Sequence, residues 1–522
     1  MTTLAPYRSD RQAGRDGMAQ LLRAEWTKLR TVRGWMIALV VAALLTVLLG
    51  LLFATGSRSS CSNGPVEVAC PAVPVGPGGE AVDDKFFFVH RPLAGDGAIT
   101  VRLTSMTGVI TYPPPDHDKI IPGMVPWAKA GIIVKDGTRQ GSTYAAMMLT
   151  GAHGVRMQHD FTHDTAGRPG GVSATSPRWL RLTRSGDTLT GYESADGTHW
   201  SKVGTAQLAG LPATVQIGLF VASPGDLTVK ANSLGGVIEQ MRLATVTAVF
   251  DQVSLQGTAP GGAWTRDDIG AAAGDGPGGI HHPGGVKESG GTYTVTGHGD
   301  IAPSSDGTTL EATLTGAMIS LIVVIVVAVM FITAEYRRGL IRTTLLASPR
   351  RGRALAAKAI VIGVAAFVAG LAAVLVTVPL GTHILGANGN HVLPVSSLTE
   401  ARVFAGAAAL FAVTAVFALA LGALFRRSVV AVITAITLIV LPYILATASV
   451  LPEGLSEWLL RLTPAAGFAV LQSIPEYPQV IGHYAPSAGY YPLAPWAGFA
   501  VFCGYAALAL GLAARRLHRR DA

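Results

Sequence analysis

The stretch at residues 335–358, EYRRGLIRTTLLASPRRGRALAAK, sets seven Arg or Lys against one Glu, and an apolar run lies on either side of it. A basic segment in that position has three physical explanations: a nucleic-acid patch, a membrane-surface anchor, or the inner connection of a transporter. Composition narrows them. The chain is 49% hydrophobic and only 14% charged, which is too apolar for an ordinary soluble protein and predicts several membrane spans. The net charge of +8 hides a split. Residues 56–312 hold 18 Lys/Arg against 23 Asp/Glu, whereas the rest of the chain holds 22 against 9. The two portions are built for different surroundings.

A helix rising 1.5 Å per residue needs roughly 20 apolar residues to cross ~30 Å of hydrocarbon. Six stretches qualify, near 33–54, 313–333, 359–380, 403–425, 429–450 and 494–514, and none carries an ionised group at its centre. Twenty of the 22 basic residues outside 56–312 fall before the first span, in 335–358, at Arg426 and Arg427, or after the sixth span; Arg402 and Arg461 are the exceptions. By the positive-inside rule both termini and the 335–358 connection are expected in the cytoplasm, beside anionic lipid heads, with residues 55–312 outside a bacterial cell membrane. No aromatic stacking groups or DNA-binding fold accompany the basic stretch, so no nucleic-acid partner is expected. The opening 16 residues read as a disordered tail, and 17–54 as a surface helix followed by the first span.

Residues 56–312 read as β structure, with short alternating runs broken by turn residues. In TVQIGLFVAS (214–223), Val215, Ile217, Leu219 and Val221 point one way, as on a half-buried strand. Leu180 and Leu182 share a face ahead of turns at Ser185–Asp187 and Asp196–Gly197. The Gly/Pro-rich stretch near 257–290 reads as a linker. Cys61 and Cys70 fall in an oxidising setting with eight residues between them, and a disulfide there would stabilise the neck by ~2–3 kcal/mol. Cys503 lies in an apolar run, where packing is its expected role.

Catalytic and metal-binding patterns are weak. No E-x-D-x-E pair occurs on a strand, and Glu193 and Asp196 flank what reads as a solvated hairpin. His153, His159, His163 and Asp164 could ligate a metal, but an exposed loop is the simpler reading and no metal is expected. Trp127, Trp179 and Trp200 could line a sugar-stacking groove or pack in a core. No G-x-x-x-x-G-K-[ST] motif occurs, and the spans lack the carboxylates that ion-coupled carriers use. An active transporter of this composition needs an external motor. Catalysis of covalent chemistry is not expected.

Two helical segments at the basic end could meet such a motor. MAQLLRAEWTKLRTVRGW (18–35) puts Met18, Leu22, Trp26 and Leu29 on one face, with Arg23, Lys28 and Arg30 off it, as on a helix lying in the membrane interface. After the second span, Arg338 and Arg342 are one turn apart, as are Ile341 and Leu345, until Pro349 ends the helix. Gly339 weakens that helix by ~1 kcal/mol relative to Ala. Physics alone leaves both a motor-docking element and a lipid-headgroup anchor open.

LLRAEWTKLRTVRGWMIALV (21–40) and AEYRRGLIRTTLLASPRRGRALAAKAIV (334–361) resemble the membrane subunit of type-2 ABC exporters of actinobacterial style. The resemblance covers 1–54 and 313–522. It implies an elbow helix using Leu22, Glu25, Trp26, Lys28 and Leu29, and six spans. It also implies a coupling element over about Glu335–Ala347, with Glu335, Tyr336, Arg337, Arg338, Leu340, Ile341, Arg342, Thr343 and Leu345 meeting the ATP-binding subunit. ATP and magnesium would sit on that partner, and a second permease copy, identical or not, would complete the unit. The family's short re-entrant helices fit EGLSEWLLRLTPAAGFAVLQS (453–473), with Leu455, Trp458, Leu459 and Leu462 as its apolar face.

The insert departs from that pattern. DKFFFVHRPLAGDGAITVRL (84–103), PWAKAGIIVKDG (126–137), SPRWLRLTRSGDTLTGYESADGTHW (176–200) and VQIGLFVAS (215–223) resemble concanavalin-like jelly-roll domains over about 83–256. GTYTVTGHGDIAP (291–303) resembles the strand that opens such a domain, here placed last, and is expected to pair back into it. The expected fold is therefore a multi-pass α-helical membrane protein with an inserted all-β sandwich. The expected function is an exporter permease whose outside domain captures a cell-wall glycan or a lipid-linked product, gates the outer exit, or contacts its twin. A surface carbohydrate receptor is the rival reading, and a sugar-processing ectoenzyme the third.

Overall fold

The computed structural model describes residues 17–63, 66–68, 72–112, 119–231, 237–258, 263–271, 284–337, 339 and 351–519. The helices are α1 (Met18–Thr31), α2 (Arg33–Gly56), α3 (Ala317–Arg337), α4 (Arg351–Ala387), α5 (Ser397–Phe425), α6 (Ser428–Thr447), α7 (Glu453–Leu462) and α8 (Pro495–Arg519). Among the described residues six of them, all but α1 and α7, are long and apolar enough to cross a membrane. The protein is a multi-pass membrane protein with a β domain inserted between its first two spans. Since successive spans alternate in direction, α1, the end of α3, the start of α4, Arg426–Arg427 and the end of α8 lie at one end of the bundle. The β domain lies at the other.

α5 is the most enclosed helix, with 67% of its apolar window buried, against 22% for α2. Lipid tails are as apolar as Leu, so helices here associate by close packing of small residues. A Cβ on Gly422 would come within 2.6 Å of Ile332 in α3, and one on Gly50 within 2.3 Å of the Thr313 carbonyl oxygen. Thr46 donates a 2.7 Å hydrogen bond to Ser320, fastening α2 to α3. Span three starts at Arg351 rather than 359, because Lys358 is buried inside the helix. α3 ends at Arg337, and Gly339 follows with φ +68°. The helix expected to continue from there into 340–348 falls outside the described residues.

The β domain is one large antiparallel sheet curled almost closed. Its main path runs Ser201–Gln207, Thr188–Ser194, Arg178–Ser185, Phe86–Thr111, Thr214–Ala222, Lys129–Lys135, Tyr144–Thr150, Val155–His159, His163–Ala166. The 26-residue strand Phe86–Thr111 is its spine. Its first part lies between Thr214–Ala222 and Thr265–Ile269, its second between Arg178–Ser185 and Val237–Thr258. Register shifts after Val249, Asp251 and Gly257 bend the ribbon. Curling brings Thr188–Gln207 over the Tyr144–Ala166 strands: a Cβ on Gly191 would meet the Met147 sulfur at 2.3 Å.

The inner layer holds Val89, Ile132, Met147, Leu180, Leu182, Val215, Ile217, Leu219 and Val221. A second core, with Phe86, Phe88, Ile133, Tyr144, Met148 and Phe220, covers the opposite face. The half-buried reading of 214–223 thus holds only for its first half; Phe220 and Ala222 are buried from the other side. That second core is closed by the domain's two ends. Val82–Asp84 pairs antiparallel with Ile301–Pro303, and Thr292–Gly297 pairs with Val246–Phe250. Lys135, fully buried, donates to Asp84 at 2.7 Å, and Lys129 bonds Asp300 and the Ile301 carbonyl oxygen. The stretch expected to be a 257–290 linker contains strands Thr265–Ile269 and Gly285–Ser289, because each finds an open sheet edge. Cys61, on a short hairpin with 66–68, is disulfide-bonded; Cys70 lies outside the described residues.

The β domain touches the bundle through His483. Its Nδ1 is 2.8 Å from Glu239 of Val237–Thr258 and its Nε2 is 3.0 Å from Glu453 at the start of α7. Both partners are acceptors, so both ring nitrogens must carry protons. Burial works to lower the His483 pKa, but the two carboxylates outweigh it and hold the group above its ordinary 6.5. A base whose folded pKa is raised contributes stability that is complete below the unfolded value and lost as pH rises through the folded one. The thermal midpoint of the detergent-solubilised protein is therefore expected to fall between pH 6 and 8, by an increment that His483→Gln removes. Both carboxylates are about half exposed or more, so the increment is about 1 kcal/mol or less. An identical pH profile in the variant would refute the assignment.

Candidate functional site

At the end of the bundle away from the β domain, four charges meet. α1 contributes Glu25 and Lys28, the last turn of α3 contributes Glu335, and the second turn of α4 contributes Lys358. The Lys358 ammonium is 2.6 Å from Glu25 Oε2 and 2.5 Å from Glu335 Oε1. The Lys28 ammonium is 2.9 Å from Glu25 Oε1 and 3.1 Å from Glu335 Oε1. Glu25, Glu335 and Lys358 are 2%, 6% and 1% exposed, so three charges of the ring are removed from solvent and only Lys28 reaches out of it. Burying one such ion costs several kcal/mol, a cost offset here because each carboxylate touches both ammoniums and the ring is neutral overall. Burial pulls the Lys28 pKa down, but Glu25 and Glu335 together raise it above 10.5, so Lys28 stays charged. Phe331 supplies a ring 5.4 Å beneath Lys358.

This arrangement revises the expected elbow face. Leu29 is fully buried and Leu22 partly so, but Trp26 is 43% exposed and Glu25 takes its place against the bundle. The apolar stripe is Leu22, Glu25, Leu29 at helical spacing, with a carboxylate where periodicity expects a hydrophobe. Lys28, expected off the stripe, turns inward to that carboxylate. Lys358 likewise occupies a stripe position, between Leu355 and Ile362. It sits in the basic run of the sequence, 23 residues from Glu335 and 333 from Glu25, so local spacing does not show its partners.

Of the residues expected to couple to a motor, Glu335 lies in the ring, Tyr336 is covered by Arg426 at 5.2 Å, and Arg337 is exposed. Arg338, Leu340, Ile341, Arg342, Thr343 and Leu345 lie outside the described residues. The basic groups nearby cap helix ends: Arg516 donates to the Leu424 carbonyl oxygen at 2.6 Å, and Arg351 to that of Leu517 at 2.8 Å. α7 turns its expected apolar face outward. Leu455, Trp458 and Leu462 are exposed while Ser456 and Leu460 are buried, an orientation a lipid surface rewards.

The sequence-level candidates in the β domain have ordinary structural roles. Glu193 is buried rather than solvated, its Oε1 accepting the Arg168 N–H at 2.8 Å. His159 and His163 stack at 4.2 Å on a hairpin, and burial, with His163 beside it, pushes the His159 pKa down to about 4. Asp164 is spent on Arg156 and Gln158, and His153 stacks on Trp127 at 4.1 Å. Trp127 is core, whereas Trp179 and Trp200 are partly exposed under Arg102 and Arg181. Among the described residues no group of three or more His, Cys, Asp or Glu is placed to hold a metal.

Six apolar helices, α1 tied to two of them by buried charge, and a β domain at the far end of the bundle define a polytopic membrane protein. A family model described as "ABC-2 family transporter protein" matches residues 157–522, and the chain belongs to that family. It is a permease subunit of an ABC transporter, and the family implies partnership with an ATP-binding subunit. The match begins inside the β domain and omits α1 and α2. No curated protein matches the chain.

Solved structures match part of it. A functionally unknown protein from Saccharomyces cerevisiae is 15% identical, covering 40% of this chain and 99% of its own at a TM-score of 0.22. Scytalido-glutamic peptidase with a transition state analog inhibitor is 9% identical, covering 41% and 98% at 0.25. The GH43 BlXynB protein from Bacillus licheniformis is 16% identical, covering 31% and 28% at 0.20. At such scores none of these likenesses bears on function.

Proposed function

We propose that this permease is an exporter subunit in which the four-charge ring transmits the motion of a docked ATPase to the spans. Both termini and residues 335–358 face the cytoplasm, and the β domain, a concanavalin-like sandwich, faces outside. Two permease copies pair with two ATP-binding subunits that hold ATP and magnesium. Coupling runs through about 335–347, directly between Glu335 and the start of α4. The observation that carries this reading is the ring itself, since it locks α1, α3 and α4 together on both flanks of that segment. An anchor for a surface receptor would need one span and no buried charge linking three helices.

The test is capture of the partner. A cysteine placed at Thr343 is expected to crosslink, in membranes, to a protein carrying a P-loop, and intact cells are expected to shield it from an impermeant maleimide. Labelling from outside would overturn the orientation. Absence of any P-loop protein from the crosslinked product would overturn the docking.

A further inference from the structure

At the opposite end of the bundle, where the spans meet the β domain, lies a cavity of about 500 Å³, within the range of small-molecule sites. Its floor is formed by the domain-side ends of α2, α3 and α6 through Phe53, Met318 and Tyr443, and its roof by the 482–491 loop. The walls are aromatic: Tyr443 packs on Phe468 at 4.6 Å, and Tyr484 meets Tyr490 edge-on at 4.8 Å, with Tyr491 beside them. Among the described residues no Lys or Arg lines it.

One carboxylate there keeps an oxygen without a hydrogen bond. Glu311, on the 3-10 turn Leu310–Leu314, accepts the Ser473 N–H through Oε1 at 3.0 Å, while its buried Oε2 has no hydrogen-bond partner. Arg402 is close enough to feel that carboxylate, but it directs its hydrogen bonds to the carbonyl oxygens of Val470 and Gln472 and not to the Glu311 Oε2. Burial pushes the Glu311 carboxyl above its ordinary range, against the Ser473 and Thr309 groups that favour the anion. The second carboxylate in the wall, Glu239, is already paired with His483. A neighbouring cavity of about 580 Å³ shares Glu239, Ser305, Gly482 and His483 with the first. It is lined by Asp83, Asp300 and Asp306 against Lys85. An acidic vestibule therefore adjoins the aromatic chamber.

We propose that this chamber binds an organic cation with an apolar body, an amine or quaternary ammonium, with Glu311 as counter-ion and the tyrosine faces as its cage. Aromatic faces attract cations, and a dry carboxylate with one vacant oxygen favours a positive ligand over a neutral one of equal size. Among the described residues an anion meets no Lys or Arg in the chamber wall, and the cationic His483 there is already held between Glu239 and Glu453. The site lies inside a single chain, so the proposal stands independently of the motor docking.

The full chain in phosphatidylglycerol nanodiscs is titrated with the fluorescent cation 4-(4-dimethylaminostyryl)-N-methylpyridinium, with empty discs as background. Saturable binding is expected, displaced by octyltrimethylammonium and not by octanol. Glu311→Gln is expected to weaken it at least tenfold, and Tyr490→Leu several-fold, with the Tm of each variant confirming the fold. Repeating the titration in phosphatidylcholine separates two sources of the same chemistry: suppressed binding identifies a lipid headgroup as occupant, and equal binding a free cation. Unchanged affinity in Glu311→Gln, or displacement by octanol as effective as by the ammonium, would overturn the proposal.

Discussion

Replacing Lys358 by Met is expected to destabilise the protein by about 3–5 kcal/mol, the usual cost of removing one partner from a buried ion pair. The variant leaves Glu25 and Glu335 facing each other with only the half-exposed Lys28 between them, a net negative charge out of water. The thermal midpoint should drop by several degrees, and ATP-dependent transport should be lost even where folded protein is recovered. Adding Glu25→Gln to Lys358→Met restores neutrality, because Lys28 and Glu335 remain as a pair. The double variant is expected to recover most of the stability but not the transport, since α1 is then no longer held to α4 by charge. If Lys358→Met melts with the wild type and transports normally, the ring is neither a staple nor a transmitter.

The second large effect is expected at the neck. Asp84→Asn leaves the fully buried Lys135 without its counter-charge, facing only neutral acceptors in the amide oxygen and the Ser142 carbonyl oxygen, and weakens the acceptor that takes the Gly141 N–H at 2.8 Å. The expected loss is again about 3–5 kcal/mol, read from denaturant unfolding of the full chain by tryptophan fluorescence. Burial raises the Asp84 pKa and lowers that of Lys135. The sign of both shifts says that the fold resists each charge taken alone. The Asp84→Met, Lys135→Met pair should then be close to neutral in stability, and a double variant as unstable as Asp84→Asn would contradict that account.

The spans were legible because hydrocarbon thickness imposes a length that composition alone reveals. Their ends were not, since Lys358 satisfies its charge inside the helix and the hydropathy rule assumes it would not. Alternation located the strands of the β domain. It missed that Phe220 and Ile133 are buried from the far side, which depends on residues 82–88 and 298–304 folding over the sheet. The stripe of α1 was readable, but which of Glu25 and Trp26 faced the bundle depended on partners hundreds of positions away. The cavity was hidden for the same reason: Phe53, Glu311, Tyr443 and Tyr490 belong to four separate stretches. A single sequence shows what a residue prefers locally, and sites assembled from distant stretches are settled by packing.

The paired segments Val82–Asp84 and Ile301–Pro303 hold the two ends of the β domain side by side, one following α2 in the chain and the other leading into α3. A load held at both of its chain ends side by side resists swivelling, so sliding of one helix past the other tips it. A label on the far rim, at Ser201 for example, would magnify a sub-nanometre slip between those two helices into a larger swing, turning the insert into a pointer for a stroke too small to see at its source.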